Sequence, residues 1–149
     1  MQREPIPVAY LASIDAPSRR CGDNSTVHPP AANPCGAVVP LLTALAGQVS
    51  WDADGRLVGE GDLTAQSEQA YLNVARALIE LGASTDDMTR VTVYVVGMTP
   101  ESTAMVMAGR RRASDALGVE FQHPGTFVGV TALWDPNYLI EVEATAIID

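Results

Sequence analysis

The chain has 149 residues, of which 47% are hydrophobic and 18% charged, and its formal net charge is −9. This length and composition predict one globular domain, residues 1–149, with a core at 37–149 after a variable strand and loop at 1–36. The acidic excess and the absence of lysine argue against nucleic-acid binding, which needs clustered cations. No apolar run reaches the ~20 residues of a membrane span and no signal pattern begins the chain, so we expect a cytoplasmic protein.

The first predicted elements are strands. An apolar stretch at Val8–Ile14 indicates a short strand, and a long irregular loop follows it. Val38–Trp51 is apolar and compatible with a strand, with Gly47-Gln48 marking a bulge or bend. Asp52–Gly55 is typical of a hairpin turn, because Asp-Gly tolerates positive φ angles. Arg56–Val58 is then predicted to be the returning strand.

Two helices are predicted in the central part of the chain. Residues 63–81 have apolar positions at three- to four-residue spacing, with Asp62 or Thr64 as the N-cap and Gly82 as the terminator. After a β-branched strand at Thr89–Val96, a second helix is predicted from Pro100 to about Leu117, with Thr99 as its N-cap.

The chain closes with two predicted strands, Gly125–Leu133 and Tyr138–Ile148, joined by a tight turn at residues 134–137. Two helices can cover only one face of such a sheet, so the pattern predicts an α+β two-layer sandwich. The second face of the last strand is mixed in polarity, which favours an oligomer that covers it. That face carries Leu139, Glu141, Glu143, Thr145 and Ile147.

Cys21, His28 and Cys35 fall in the N-terminal loop. A reducing compartment favours free thiols over a disulfide. Zinc sites need paired short spacings such as Cys-x2-Cys, which this stretch lacks, so we expect no metal.

A series of short motifs runs in order through residues 37–149, and together they resemble the RidA/YjgF family, also called endoribonuclease L-PSP. Ser-Gly-Gln, Gln-x-x-x-Ala-x-x-Asn, Thr-Val-Tyr and a final Glu-x-Glu-x-x-Ala make up the family pattern. The matching positions are Gly47-Gln48, Gly55, Gln66, Ala70, Asn73, Leu78, Gly82, Thr92-Val93-Tyr94, Glu141, Glu143 and Ala146.

The resemblance implies a chorismate-mutase-like fold assembled as a homotrimer, with a central barrel and clefts between subunits. Typical members hydrolyse enamine and imine intermediates, such as 2-aminoacrylate, without a cofactor. In those members an arginine grips the substrate carboxylate, and a glutamate positions water or moves a proton.

Carried onto this sequence, the resemblance places Glu141 at the catalytic glutamate and leaves Glu143 to the scaffold. Thr126 stands where the family has its arginine. Ala46 replaces the serine before Gly47, and Met105 replaces a helix asparagine.

Three further residues are candidates for the cleft. Val128, with Ala46 and Met105, would make it apolar and would raise the pKa of Glu141. Cys35 could be a cleft nucleophile, although a cysteine without a placed histidine is usually inert. His123 could be a second acid–base group, or it could cap its loop.

Replacing the arginine removes a two-pronged, charge-assisted contact, and truncating such a pair costs about 2–5 kcal/mol. Three functions remain open. The first is an enzyme for a less acidic or bulkier small molecule that uses Glu141 for proton transfer or water activation, in enamine or imine hydrolysis or in tautomerisation. The second is an imine deaminase whose carboxylate anchor comes from elsewhere, and the third is a non-catalytic trimeric binding module. None of Arg110, Arg111 and Arg112 is an obvious substitute anchor within the chain, although one of them could reach the cleft of a neighbouring subunit.

Overall fold

The computed structural model describes residues 12–13 and 41–148. The strands are β1 (Ala12–Ser13), β2 (Leu41–Gln48), β3 (Met88–Val96), β4 (Gly125–Val130) and β5 (Ile140–Ile148). The helices are α1 (Leu63–Glu80) and α2 (Pro100–Leu117), with a 3-10 turn at Thr85–Asp87. The predicted α+β class is confirmed. Of the predicted strand at Val8–Ile14, the described part is β1.

The five strands form one sheet in the order β1-β2-β5-β3-β4. β5 is antiparallel to both β2 and β3, whereas β4 is parallel to β3 and lies at the edge. The turn predicted at residues 134–137 is present, with the Asn137 amide donating to Asp135 Oδ1 over 2.8 Å. The two strands that it joins are nevertheless not neighbours, because β3 lies between them. Parallel pairing of β4 with β3 requires a crossover, and α2 provides it.

The hairpin predicted after β2 is reduced to a turn. Gly55 has φ 73° and donates to the Asp52 carbonyl over 3.0 Å, as Asp-Gly predicts. The prediction of a returning strand at Arg56–Val58 is wrong. Among the described residues this segment forms a single isolated β-bridge, between Trp51 and Leu57. Gly59, with φ 73°, turns the chain immediately afterwards and ends the pairing.

Both helices begin and end where the capping residues predict. Asp62 accepts from the amides of Thr64 and Ala65 at the start of α1. Thr99 and Ser102 form a reciprocal capping box at the start of α2, whose terminator Gly118 has φ 66°. Gly82 follows α1 with φ 77°.

The core lies between the helices and one face of the sheet. Val91, Val93 and Val95 of β3 are each at most 1% exposed, while the alternate residues of that strand face the other way. The helices cross closely at Gly109, where an added Cβ would lie 2.6 Å from Ser67 Cβ and 2.7 Å from Glu68 N. The helices therefore cover one sheet face, and the other face is open. No helix among the described residues has the length and apolarity that crossing a bilayer requires.

Candidate functional site

The open sheet face arranges its side chains in rows across three strands. Tyr94 of β3 lies opposite Glu141 of β5 on one side and Val128 of β4 on the other. The next row contains Thr126, Thr92 and Glu143, and the third pairs Arg90 with Thr145. Because side chains alternate along a strand, all of these residues project from the same face.

A concavity of 470 Å³ lies on this face. Its lining includes Arg90, Thr92, Tyr94, Thr126, Val128 and Glu143. Glu141, beside Tyr94 and Glu143 in the rows, is not among the lining residues. The two predicted cleft residues Thr126 and Val128 therefore share one depression, and Glu141 lies in a row that borders it.

Glu141 rests against the backbone of Gly47. A Cβ at Gly47 would overlap the Glu141 carboxylate and lie 2.5 Å from its Cγ. The register of β2 with β5 shifts between Leu45 and Gln48, so Gly47 lies in the irregularity that the sequence predicted. Exposed Ala46 precedes it. The φ angle of Gly47 is not positive, so its backbone conformation does not require a glycine. The residue is required because any larger side chain would overlap Glu141.

The environment of Glu141 favours its protonated form. Burial raises the pKa of this half-buried carboxyl above its ordinary value, and the charge of Glu143 raises it further. A raised pKa makes an ionised carboxylate a stronger base, which suits proton transfer.

Glu143 is engaged by its neighbour. The Tyr94 hydroxyl donates to Glu143 Oε2 over 2.9 Å, and this hydrogen bond is the main cause that raises the pKa of Tyr94. Both residues also line the concavity, so Glu143, which the sequence analysis left to the scaffold, borders the candidate site as well.

The start of β5 is held by Gln66 of α1, which is fully buried. Its side-chain oxygen accepts from the Leu139 amide over 2.8 Å, and its nitrogen donates to the carbonyls of Asn137 and Gly59 over 2.9 and 3.1 Å. Leu139 precedes Glu141 by two residues, so these bonds set where Glu141 enters the open face.

Arg90 was missed by the sequence analysis, which considered only the arginines of α2. It lies in the concavity, one row from Thr126. The available signal was the alternation of β3, since Arg90, Thr92 and Tyr94 are two residues apart.

Other predicted residues lie elsewhere in the chain. Met105 belongs to α2 in the helix layer and is 40% exposed, so within one chain it does not meet Glu141. His123 precedes β4 and packs edge-on against Phe121, with the ring centroids 6.5 Å apart. Burial lowers the pKa of His123, which favours its neutral form. Cys35, like Cys21 and His28, lies outside the described residues.

The arginines of α2 also belong to the helix side. Arg112 Nη1 lies 3.7 Å from Glu68 Oε2 of α1, which makes an ion pair between the two helices. Arg110 is close to Tyr71, whose pKa burial raises to about 12. Within the described residues, both arginines therefore lie on the helix side of the sheet, away from the open face. In the part of the chain that the structure describes, no group of three His, Cys, Asp or Glu residues could hold a metal ion.

Comparison with known proteins gives consistent matches. Residues 29–148 match the family described as endoribonuclease L-PSP. YyfB from Yersinia pestis, a solved member of the Rid family, is 36% identical over 72% of this chain and 78% of its own, with a TM-score of 0.62.

Two further solved structures share the fold. A member of the YjgF/YER057c/UK114 family from Mycobacterium tuberculosis is 28% identical over 72% of this chain and 79% of its own, with a TM-score of 0.54. TdcF from Escherichia coli, solved with bound serine, is 19% identical over 72% of this chain and 81% of its own, with a TM-score of 0.60. No curated protein matched the chain in sequence.

Proposed function

The chain belongs to the endoribonuclease L-PSP family, whose solved members include Rid and YjgF proteins, and from that premise we propose that it is a cofactor-free enzyme for a small organic molecule. Glu141 transfers a proton or activates water at the open sheet face. The reaction is hydrolysis of an enamine or imine, or a tautomerisation.

The observation that carries this proposal is the position of Glu141. It is half-buried, it rests on a glycine that leaves it space, and burial raises its pKa. A solvated surface glutamate would need none of these features. A carboxyl whose pKa is raised by burial suits general acid–base catalysis.

The adjoining concavity supports a small-molecule substrate. Its 470 Å³ lies within the ~300–1,000 Å³ typical of ligand sites. The same fold holds serine in TdcF from Escherichia coli. RNA is not proposed as a substrate, because a chain with a net charge of −9 lacks the cations that phosphates require.

Assembly as a homotrimer, with the active sites between subunits, is part of the proposal. The open face carries exposed apolar side chains beside the polar ones, among them Leu42 at 43% and Ile147 at 39% exposure. Covering them in an assembly would remove apolar surface from water. It could also bring α2 of one chain, with Met105, toward the open face of another.

The test compares wild type with Glu141→Gln. Two reactions are followed: the loss of freshly generated 2-aminoacrylate and the keto–enol tautomerisation of phenylpyruvate. We expect wild type to accelerate at least one of them and Glu141→Gln to lose about 10²–10⁴-fold of that acceleration. The exposed residue Glu60 provides a matched control, since Glu60→Gln should retain full activity.

Two other results would contradict the proposed catalytic function. Equal rates for wild type and Glu141→Gln would contradict the role of Glu141. Binding of these molecules with no acceleration of either reaction would leave the non-catalytic binding module as the function.

A further inference from the structure

We propose that Arg90 binds the carboxylate of the substrate and thereby restricts this site to monocarboxylic acids. The inference rests on the proposed function, because it assumes that the concavity on the open face is the substrate site. It assigns a substrate-binding role to a residue that the family resemblance did not identify.

The position of Arg90 in the sheet supports this assignment. Arg90 lies on β3 opposite Thr145 of β5, one row from the pair formed by Thr92 and Thr126. All four residues line the concavity. A guanidinium group and three hydroxyl groups therefore border one end of it, and each can donate to an anion.

Within residues 41–148, no acidic side chain forms an ion pair with Arg90. Among residues 41–148, the arginines in ion pairs are Arg56, with Asp52 and Asp54, and Arg112, with Glu68. The acidic side chain that lines the concavity, Glu143, instead accepts from the Tyr94 hydroxyl over 2.9 Å. An unpaired guanidinium group in a depression is available for a ligand.

The same charges favour a monoanion over a dianion. Arg90 adds one positive charge to the concavity, while Glu143 adds one negative charge within it and Glu141 borders it. A phosphate dianion would place more negative charge against two carboxyl groups than one guanidinium can offset. A carboxylate matches both the planar fork of arginine and its single charge.

The spacing of the rows indicates the length of the ligand. Arg90 lies four residues before Tyr94, which is opposite Glu141, so the two rows are about 13 Å apart at ~3.3 Å per residue. Both side chains extend into this gap, so the ligand is shorter than the row spacing, but a longer acid held at Arg90 comes nearer to Glu141 than a three-carbon acid does. We therefore expect phenylpyruvate to bind more tightly than pyruvate.

The test measures binding of four probes by calorimetry: phenylpyruvate, pyruvate, the neutral phenylpyruvamide, and inorganic phosphate. Arg90→Gln should weaken phenylpyruvate binding by about three- to fivefold, because a charge pair formed by an exposed arginine contributes up to about 1 kcal/mol. Arg90→Lys should restore part of the affinity. Arg76→Gln, at an exposed position of α1, is the matched control and should bind as wild type does.

The contrary results are equally defined. The inference fails if Arg90→Gln binds phenylpyruvate as wild type does, if the amide binds as tightly as the acid, or if phosphate binds more tightly than both acids. Far-UV circular dichroism checks that each variant is folded, which we expect because Arg90 is exposed in the described chain.

Turnover separates this inference from the proposed function. If Arg90→Gln binds normally while Glu141→Gln is inactive, the carboxylate anchor is wrong and the catalytic proposal stands. If Arg90→Gln loses binding while Glu141→Gln keeps full activity, the anchor stands and the role of Glu141 is wrong. If both are right, Arg90→Gln raises KM with kcat largely retained, and Glu141→Gln lowers kcat.

Discussion

The carboxylate of Glu141 occupies the space that a side chain at position 47 would fill. The two residues come from different strands, β2 and β5, and an added Cβ at Gly47 would lie 2.5 Å from Glu141 Cγ. Both residues belong to the sequence motifs that resemble the family. The structure gives the physical reason why they occur together: the glycine makes room for the glutamate.

The first prediction follows from this contact. Gly47→Ala should displace the Glu141 side chain, remove most of the activity, and lower the free energy of unfolding by about 1–3 kcal/mol through overpacking. Urea unfolding and the assay of the wild-type reaction measure the two effects.

A double-mutant cycle with Glu141→Ala provides the control. Shortening Glu141 removes the atoms that the new methyl group would meet, so the destabilisation by Gly47→Ala should largely disappear in the Glu141→Ala background. Additive free energies would show that Gly47 is needed for another reason, such as the bend of β2.

The second prediction concerns the pH dependence of stability. Burial, helped by the charge of Glu143, raises the pKa of Glu141 in the folded state above its ordinary value of 4.5. The stability associated with the neutral form is therefore fully present below pH 4.5 and is lost as pH rises through the folded pKa.

Glu141→Gln should accordingly be more stable than wild type at pH 7, by up to about 1 kcal/mol because the carboxyl is only half-buried. The advantage should shrink toward pH 4. Thermal unfolding from pH 4 to pH 8 measures the difference, and an advantage that is constant with pH would contradict the shift.

The third prediction concerns the hydrogen bond from Tyr94 to Glu143. Tyr94→Phe removes the donor and should lower the free energy of unfolding. Glu143→Gln keeps an acceptor oxygen and should cost less than Tyr94→Phe. The reverse order in denaturant unfolding would show that the charge of Glu143, rather than this bond, matters for stability.

The fourth prediction concerns Gln66. Gln66→Leu leaves the Leu139 amide and the carbonyls of Asn137 and Gly59 without their partner. With unsatisfied buried groups costing about 1–3 kcal/mol each, partly relieved by water, we expect a loss of about 2–4 kcal/mol.

A control for Gln66→Leu is the same change at the exposed Gln122, which should alter stability by less than about 0.5 kcal/mol. Because Gln66 holds the start of β5, its variant should also lose activity at temperatures where it remains folded. Full activity there would show that Glu141 is positioned without Gln66.

Local sequence signals were sufficient for much of the fold. Asp62, Thr99 and Gly118 mark helix ends through hydrogen bonds and backbone angles that involve only neighbouring residues. They could therefore be predicted without knowledge of the rest of the chain. The returning strand at Arg56–Val58 failed because a strand exists only if a partner pairs with it, and here Gly59 turns the chain away.

In the candidate site, too, some features could be predicted from the sequence and others depend on strand pairing. The motifs identified Glu141, Gly47 and Thr126 as positions, because short patterns can be aligned in order along the chain. They did not reveal Arg90, since its importance depends on the parallel pairing of β3 with β4, which places it one row from Thr126. The choice of strand neighbours is made by long-range contacts.

The sequence by itself determined the class, the helices with their caps, the alternation of each strand and the family resemblance, because these depend on short-range periodicity and on residue identity. Only the tertiary structure decided the strand order, the separation of β4 from β5 by β3, the contact between Gly47 and Glu141, and the position of Arg90 in the concavity. The physical reason is that an alternating strand specifies which side chains share a face, whereas the pairing of whole strands in three dimensions specifies which of those side chains meet.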